Sequence, residues 1–241
     1  MEASGPAFEL RPELDLPLYG LGLVMVTGRL VYKRTAFCAP QCDSGDVNAF
    51  DRVTAGYWSL GWQYASSAVL AAQSVGTAAL LFADEGFRRG LNDAVVIGES
   101  ALMSLGVGSM IAVVVQRPRP FLYGSKAPAD ARTTSDAGLA FVSSHAAVSF
   151  ALVTSTAVAM HRLHPGSRAP WIVLAVGGAA GVFVATARVL GGMHFITDVI
   201  GGAVVGSSVG VLLPSLHASP VAVAPVVMTG GLPGLAFTAR F

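Results

Sequence analysis

The chain has 241 residues, 53% of them hydrophobic and only 12% charged, with a net charge of +1. A soluble domain carries about 25% charged residues, so the composition excludes an ordinary soluble protein and points to a membrane. The near-neutral balance offers no basic surface for nucleic acid, no nucleic-acid motif is found, and the length suits one domain.

Residues 1–15 are polar, contain two prolines and read as a surface tail or an interfacial arm. Glu2, Glu9, Glu13 and Asp15 make this start acidic, so no cleavable signal peptide is expected. Leu16 to Val31 is the first apolar run. It falls short of the ~20 residues that cross a bilayer as a helix, so it either spans or lies against the other helices. Residues 32–56 form a polar loop with the sequence Cys38-Ala39-Pro40-Gln41-Cys42. A short-loop disulfide is expected if that side is oxidising, and two free thiols if it is not. No convincing set of metal ligands accompanies the cysteines, and no cofactor is expected.

Tyr57 to Ala83 is the second run, with Trp58, Trp62 and Tyr64 where an aromatic belt would sit. Asp84 to Asn92 reads as a charged turn. The third run, Asp93 to Gln116, ends at Arg117-Pro118-Arg119-Pro120, where two prolines disfavour further helix. Phe121 to Phe141 is a long loop. The fourth run spans His145 to Met160, with Ser143 and Ser144 as cap candidates before it. After a turn at His161 to Ala169, the fifth run covers Trp171 to Leu190 and the sixth Val199 to Leu216. In the tail, two apolar stretches flank Gly230-Gly231-Leu232-Pro233-Gly234, a pattern that suggests a small β-hairpin. The expected fold is all-α: a polar tail (1–15), a six-helix transmembrane bundle (16–216) and a C-terminal tail (217–241).

Alternating runs place the end of the third, the start of the fourth, the end of the fifth and the start of the sixth on one face. That face holds Arg117 and Arg119, then Ser143, Ser144 and His145, then Arg188, His194 and Asp198. His194 and Asp198 are four residues apart, on one helix face. Alone, the pair reads equally well as a buried fastening between helices or as a functional couple. The whole set has three arginines and two histidines against a single carboxylate. It is short of negative charge, so an anion is expected to complete it. Arginines, a serine hydroxyl and helix-start amides bind phosphate. A histidine backed by a carboxylate is a nucleophile for phosphorus, a second histidine can protonate the leaving oxygen, and no carboxylate cluster suggests a metal.

At these residues the chain resembles the type-2 phosphatidic acid phosphatase superfamily, which shares its core with bacterial acid phosphatases and vanadium haloperoxidases. The family pattern is Lys-x6-Arg-Pro, then Pro-Ser-Gly-His, then Ser-Arg-x5-His-x3-Asp. Ala187, Arg188, His194 and Asp198 match the third motif, with alanine for serine. Val142-Ser143-Ser144-His145 matches the second, with proline and glycine replaced. Only Arg119-Pro120 matches the first, and the family's lysine falls at Ala112. The resemblance implies that His194 forms a phosphohistidine, Asp198 orients it and His145 is the general acid. It also implies that Arg119, Arg188 and Ser143 hold the phosphate with the Ser144 amide, without a metal. Arg117 either substitutes for the lysine or is a rim charge touching headgroups.

A membrane-edge site suits an amphiphile with a phosphate head, so the expected activity is lipid phosphate hydrolysis. The rivals are a lipid phosphotransferase and a non-catalytic lipid-phosphate-binding protein, the latter because of Ala112. Membrane lipids and a lipid phosphate are the expected partners; oligomeric state is not legible. Lysine and arginine counts favour neither orientation strongly. The cysteine pair and the family's habit favour a bacterial inner-membrane protein with its site facing the periplasm.

Overall fold

The computed structural model describes the backbone of residues 5–218, 222–227 and 233–238, and the side chains of residues 5–217. Six long helices form the bundle: α1 (Pro12–Val31), α3 (Leu60–Glu85), α4 (Phe87–Val115), α6 (Ser144–Leu163), α7 (Ala169–Leu190) and α8 (Ile196–Ala218). Two single-turn helices, α2 (Ala49–Arg52) and α5 (Ala129–Arg132), lie in the loops. Each long helix has the length and hydropathy to cross a membrane. The chain is an integral membrane protein with the expected six-helix layout.

Two boundaries differ from the sequence expectation. The polar residues just before the first run are not all tail. Pro12 to Asp15 form the first turn of α1, whose 20 residues reach the length of a span. The Asp15 carboxylate accepts the Arg11 amide at 2.7 Å and closes that turn. Upstream, Ala7 and Phe8 are buried. Their amides donate to the Asp93 carboxylate at 3.0 and 2.9 Å, so this stretch docks on the bundle instead of lying on its surface. Likewise the charged stretch at 84–92 is helical except at Gly86, whose φ of 76° separates α3 from α4. At 29 residues α4 is about 43 Å long, more than the ~30 Å hydrocarbon layer. Its charged first turns can therefore stand outside that layer.

α6 is the central helix, contacting α8, α7, α4 and α3. Gly202, Gly206 and Gly210 recur every four residues on α8, so they share one face. A Cβ at these positions would strike the carbonyls of Ser143, Ala147 and Ala151, all on or at the start of α6. The two backbones are in direct contact, and the start of α6 is pinned to the start of α8. α1 runs beside α4 in the same direction, with Gly22 against Leu102 and Gly28 against Met110. In the tail, Ala222–Val227 pairs antiparallel with Pro233–Thr238, and the expected turn at residues 230–232 lies outside the described residues.

Candidate active site

The site forms where four helix ends and three loops meet. α4 stops at Gln116, whose left-handed φ of 52° turns the chain while its amide still bonds the Ala112 carbonyl. The segment Arg117–Arg119 then lies along Ala137–Ala140. Arg119 N donates to Ala137 O and Ala140 N to Arg117 O, both at 2.9 Å. Ser143 is the N-cap of α6, its hydroxyl accepting from Ala146 N, and its own amide donates to the Asp198 carbonyl at 3.0 Å. Between α7 and α8 the chain turns at Gly192 (φ 74°), where a Cβ would collide with the Tyr57 carbonyl. Gln63 on α3 holds this turn through the Gly191 carbonyl at 3.0 Å. Backbone hydrogen bonds thus join the three motif segments into one floor.

Set on that floor, His194 is buried and its Nδ1 lies 2.7 Å from the Ala140 carbonyl. A carbonyl only accepts, so Nδ1 carries the proton and the Nε2 lone pair is free. Burial, then the charges of Arg119 and Arg188, hold this imidazole well below its ordinary pKa; His145 adds to the effect. The ring stays a neutral base in mild acid. Arg119 is buried, bonded through Nε to the Asp136 carbonyl at 2.8 Å, through Nη1 to Met193 O at 3.4 Å and ion-paired to Asp136 at 2.7 Å. His145 Nε2 lies 3.2 Å from the Ser67 hydroxyl of α3.

Arg188 differs from the rest. It is only 6% exposed, its Nε has no hydrogen-bond partner among the described residues, and no carboxylate there pairs with it. A buried, unpaired guanidinium is costly unless a ligand supplies the missing anion.

Several of the expected site residues have partners within the protein. Arg117 is the clearest case. Its Nη1 donates to Asp198 at 2.6 Å and Thr197 Oγ1 at 2.7 Å, and its Nη2 to Asp51 at 2.7 Å. The guanidinium also stacks 4.4 Å over Phe195. Asp198 is committed to Arg117 and to the Phe195 amide, at 2.7 Å. It stands 3.9 Å from His194 Nδ1, so the Ala140 carbonyl is what orients the ring. The Ser144 hydroxyl is buried without a partner among the described residues and lies near Gly108 of α4; the expected role was that of its amide. Ala112 is fully buried, one turn beyond Gly108 on the same α4 face. Cys38 and Cys42 are disulfide-bonded.

The reading of the site as one carboxylate among five cationic groups also changes, because the loops supply two more. Asp51 is fully buried; its burial alone would raise its pKa. Bonds from Thr197, Arg117 and Asn48 outweigh this and hold it below the usual range. Asp136 is likewise raised by burial and lowered more by Arg119 and Arg29. Arg29, at the end of α1, pairs with Asp136 at 2.7 Å. Asp51 and Asp136 lie in the two loops of this face, residues 32–56 and 121–141. The charge deficit itself was the signal, since unpaired arginines call for nearby acids before an external anion.

The sequence profile of the PAP2 superfamily matches residues 93–231, more than half of the chain and all three motif segments. No curated protein matches the chain. A solved transmembrane PAP2-type phosphatidylglycerolphosphate phosphatase from Bacillus subtilis is similar, at 18% identity and a TM-score of 0.49, covering 85% of this chain and 96% of its own. The profile match runs through the residues that build the floor, and the chain belongs to the PAP2 superfamily.

Proposed function

We propose that the protein is a membrane-embedded phosphatase for lipid phosphates and works through a phosphohistidine. The observation that carries this reading is Arg188, a buried cation without a partner among the described residues, whose charge acts on a histidine with a free lone pair. A phosphoryl group supplies the missing anion. Arg188, Arg119 and the Ser143–Ser144 helix start hold its oxygens. His194 Nε2 attacks phosphorus as the ester P–O bond breaks, and His145 gives a proton to the departing oxygen. Water then attacks the phosphohistidine and returns a proton to His145, releasing phosphate.

The lipid part has a place to go. Ser67, which touches His145, is followed on α3 by Val69, Ala72, Gln73 and Gly76. With Val176 of α7 these line an apolar groove of about 500 Å³, which continues past Leu80 to Met160 and Ala169 at the bundle end away from the site. The disulfide on the site side fits an oxidising compartment, which supports a site facing the periplasm or exterior.

The test is phosphate release by purified protein from long-chain lipid phosphates and from a short water-soluble ester, beside His194→Ala and His145→Ala. Release lost in both variants and stronger with long-chain substrates is expected. Equal release from wild type and variants defeats the catalytic reading. Binding without release is the outcome for a non-catalytic lipid-phosphate binder, which Ala112 in the lysine position favours. Phosphoryl transfer to an added acceptor lipid is the outcome for a phosphotransferase.

A further inference from the structure

A second buried polar cluster lies at the other end of the bundle. His217 closes α8, 19 residues beyond Asp198 and so about 28 Å along the helix. It meets Asp15 from the first turn of α1 and Glu99 from within α4. The three residues are 3%, 7% and 1% exposed.

Their hydrogen-bond inventory does not close. His217 Nδ1 lies 3.0 Å from the Leu213 carbonyl. That carbonyl only accepts, so Nδ1 is protonated and the Nε2 lone pair points away from it. Nε2 faces Asp15 Oδ1 at 2.6 Å and Glu99 Oε2 at 3.6 Å. A lone pair and two carboxylates all accept, so something positive must sit among them. A proton on Nε2 serves Asp15 alone. Both Glu99 oxygens still lack a hydrogen-bond partner among the described residues, and the ionisable groups acting on Glu99 are Asp15 and His217 themselves. A doubly charged cation instead balances both carboxylates and uses the imidazole lone pair.

We propose that Asp15, Glu99 and His217 bind one divalent transition-metal ion of the zinc or manganese type, tying α1, α4 and α8 together. One nitrogen and two oxygens suit these ions; calcium prefers six to eight oxygens. The three ligand atoms lie within 4.8 Å of one another, near the ~4 Å that bonds of about 2.1 Å allow. The supporting contacts that orient metal ligands are present: the Leu213 carbonyl holds the imidazole, and the Arg11 amide holds the second Asp15 oxygen. The ion is a clamp and takes no part in the phosphate chemistry. α1 needs such a clamp because its other extensive contact is with α4 alone.

The test uses the full-length protein in detergent, stripped with a chelator, dialysed, and titrated with Zn²⁺ or Mn²⁺. One equivalent per chain and a Tm rise of several degrees, reversed by EDTA, are expected for wild type. Glu99→Gln keeps the shape and should lose both. No stoichiometric uptake by wild type overturns the proposal, as does equal uptake by Glu99→Gln. So does a Glu99→Gln protein more stable than metal-free wild type that binds no less metal, the result expected if a proton fills the cluster. Should the variant not fold, X-ray absorption of zinc-loaded wild type decides. An inner shell with one imidazole supports the clamp, and a shell without one refutes it.

Discussion

Two arginines from different motif segments carry opposite predictions. Arg117 is held by two fully buried carboxylates. Arg117→Met strands both, and breaking a buried pair costs roughly 3–5 kcal/mol; a large fall in Tm is expected. Arg188 is buried with no carboxylate partner among the described residues. Arg188→Met removes an uncompensated cation, so thermal stability should hold or rise. Phosphate release should fall about 10- to 100-fold, the size of lost charged hydrogen bonds at about 1.5–3 kcal/mol. Thermal unfolding and kcat/KM on the two variants check this, and a destabilised Arg188→Met refutes the unpaired assignment. The sequence could not separate the two residues, because both are arginines at helix ends. What separates them is Asp51, 66 positions from Arg117, and no local pattern announces a contact of that range. His194 adds a pH prediction. Its folded pKa lies well below its unfolded value of about 6.5. Between the two, the unfolded chain binds a proton that the folded one does not, so stability falls as pH drops below about 6.5. His194→Gln should flatten the decline in Tm between pH 7.5 and 5.5. An unchanged slope would mean that His194 is not the group responsible.

The helix pair α6–α8 decides whether His145 and His194 meet. Because Gly206 lies against the Ala147 carbonyl, Gly206→Val must push the helices apart, moving the α6 start away from the α8 start. Both Tm and kcat should drop. Gly178 on α7 has nothing near its missing side chain, so Gly178→Ala should be neutral or stabilising, by up to about 1 kcal/mol of helix propensity. Equal effects at the two glycines would refute backbone contact as the cause. The helices themselves were legible, since their apolar runs are long and their ends carry proline, glycine and serine signals. Ser143 caps α6 as its position suggests. The start of α4 was not legible, because Glu85, Arg88 and Arg89 look like a turn when the length of the helix beyond the apolar layer is unknown. Nor was the docking of Ala7 and Phe8, whose amides bond Asp93 and whose Phe8 ring lies under Arg162, both far along the chain.

At the scale of the molecule, the two ends of the bundle differ. One end gathers Arg29, Arg117, Arg119 and Arg188 with three carboxylates and the disulfide. The other gathers Asp15, Glu99 and His217. The arginines of the first end cannot be counted by the rule that positive loops stay inside, because Arg117 and Arg119 are buried or paired and serve the site. The disulfide is the better indicator. Cys42 is packed with Phe121 and Leu122, and its amide bonds the Leu122 carbonyl, so the cysteine loop belongs to the face that carries Arg119. A reducing cytoplasm opens short-loop disulfides, whereas an oxidising compartment preserves them. In intact cells expressing the protein, a membrane-impermeant maleimide should therefore label neither cysteine before reduction and both after an impermeant phosphine reductant. Labelling that requires lysing the cells would place the phosphate pocket in the cytoplasm. The substrate would then have to come from the inner leaflet, reversing the orientation proposed above.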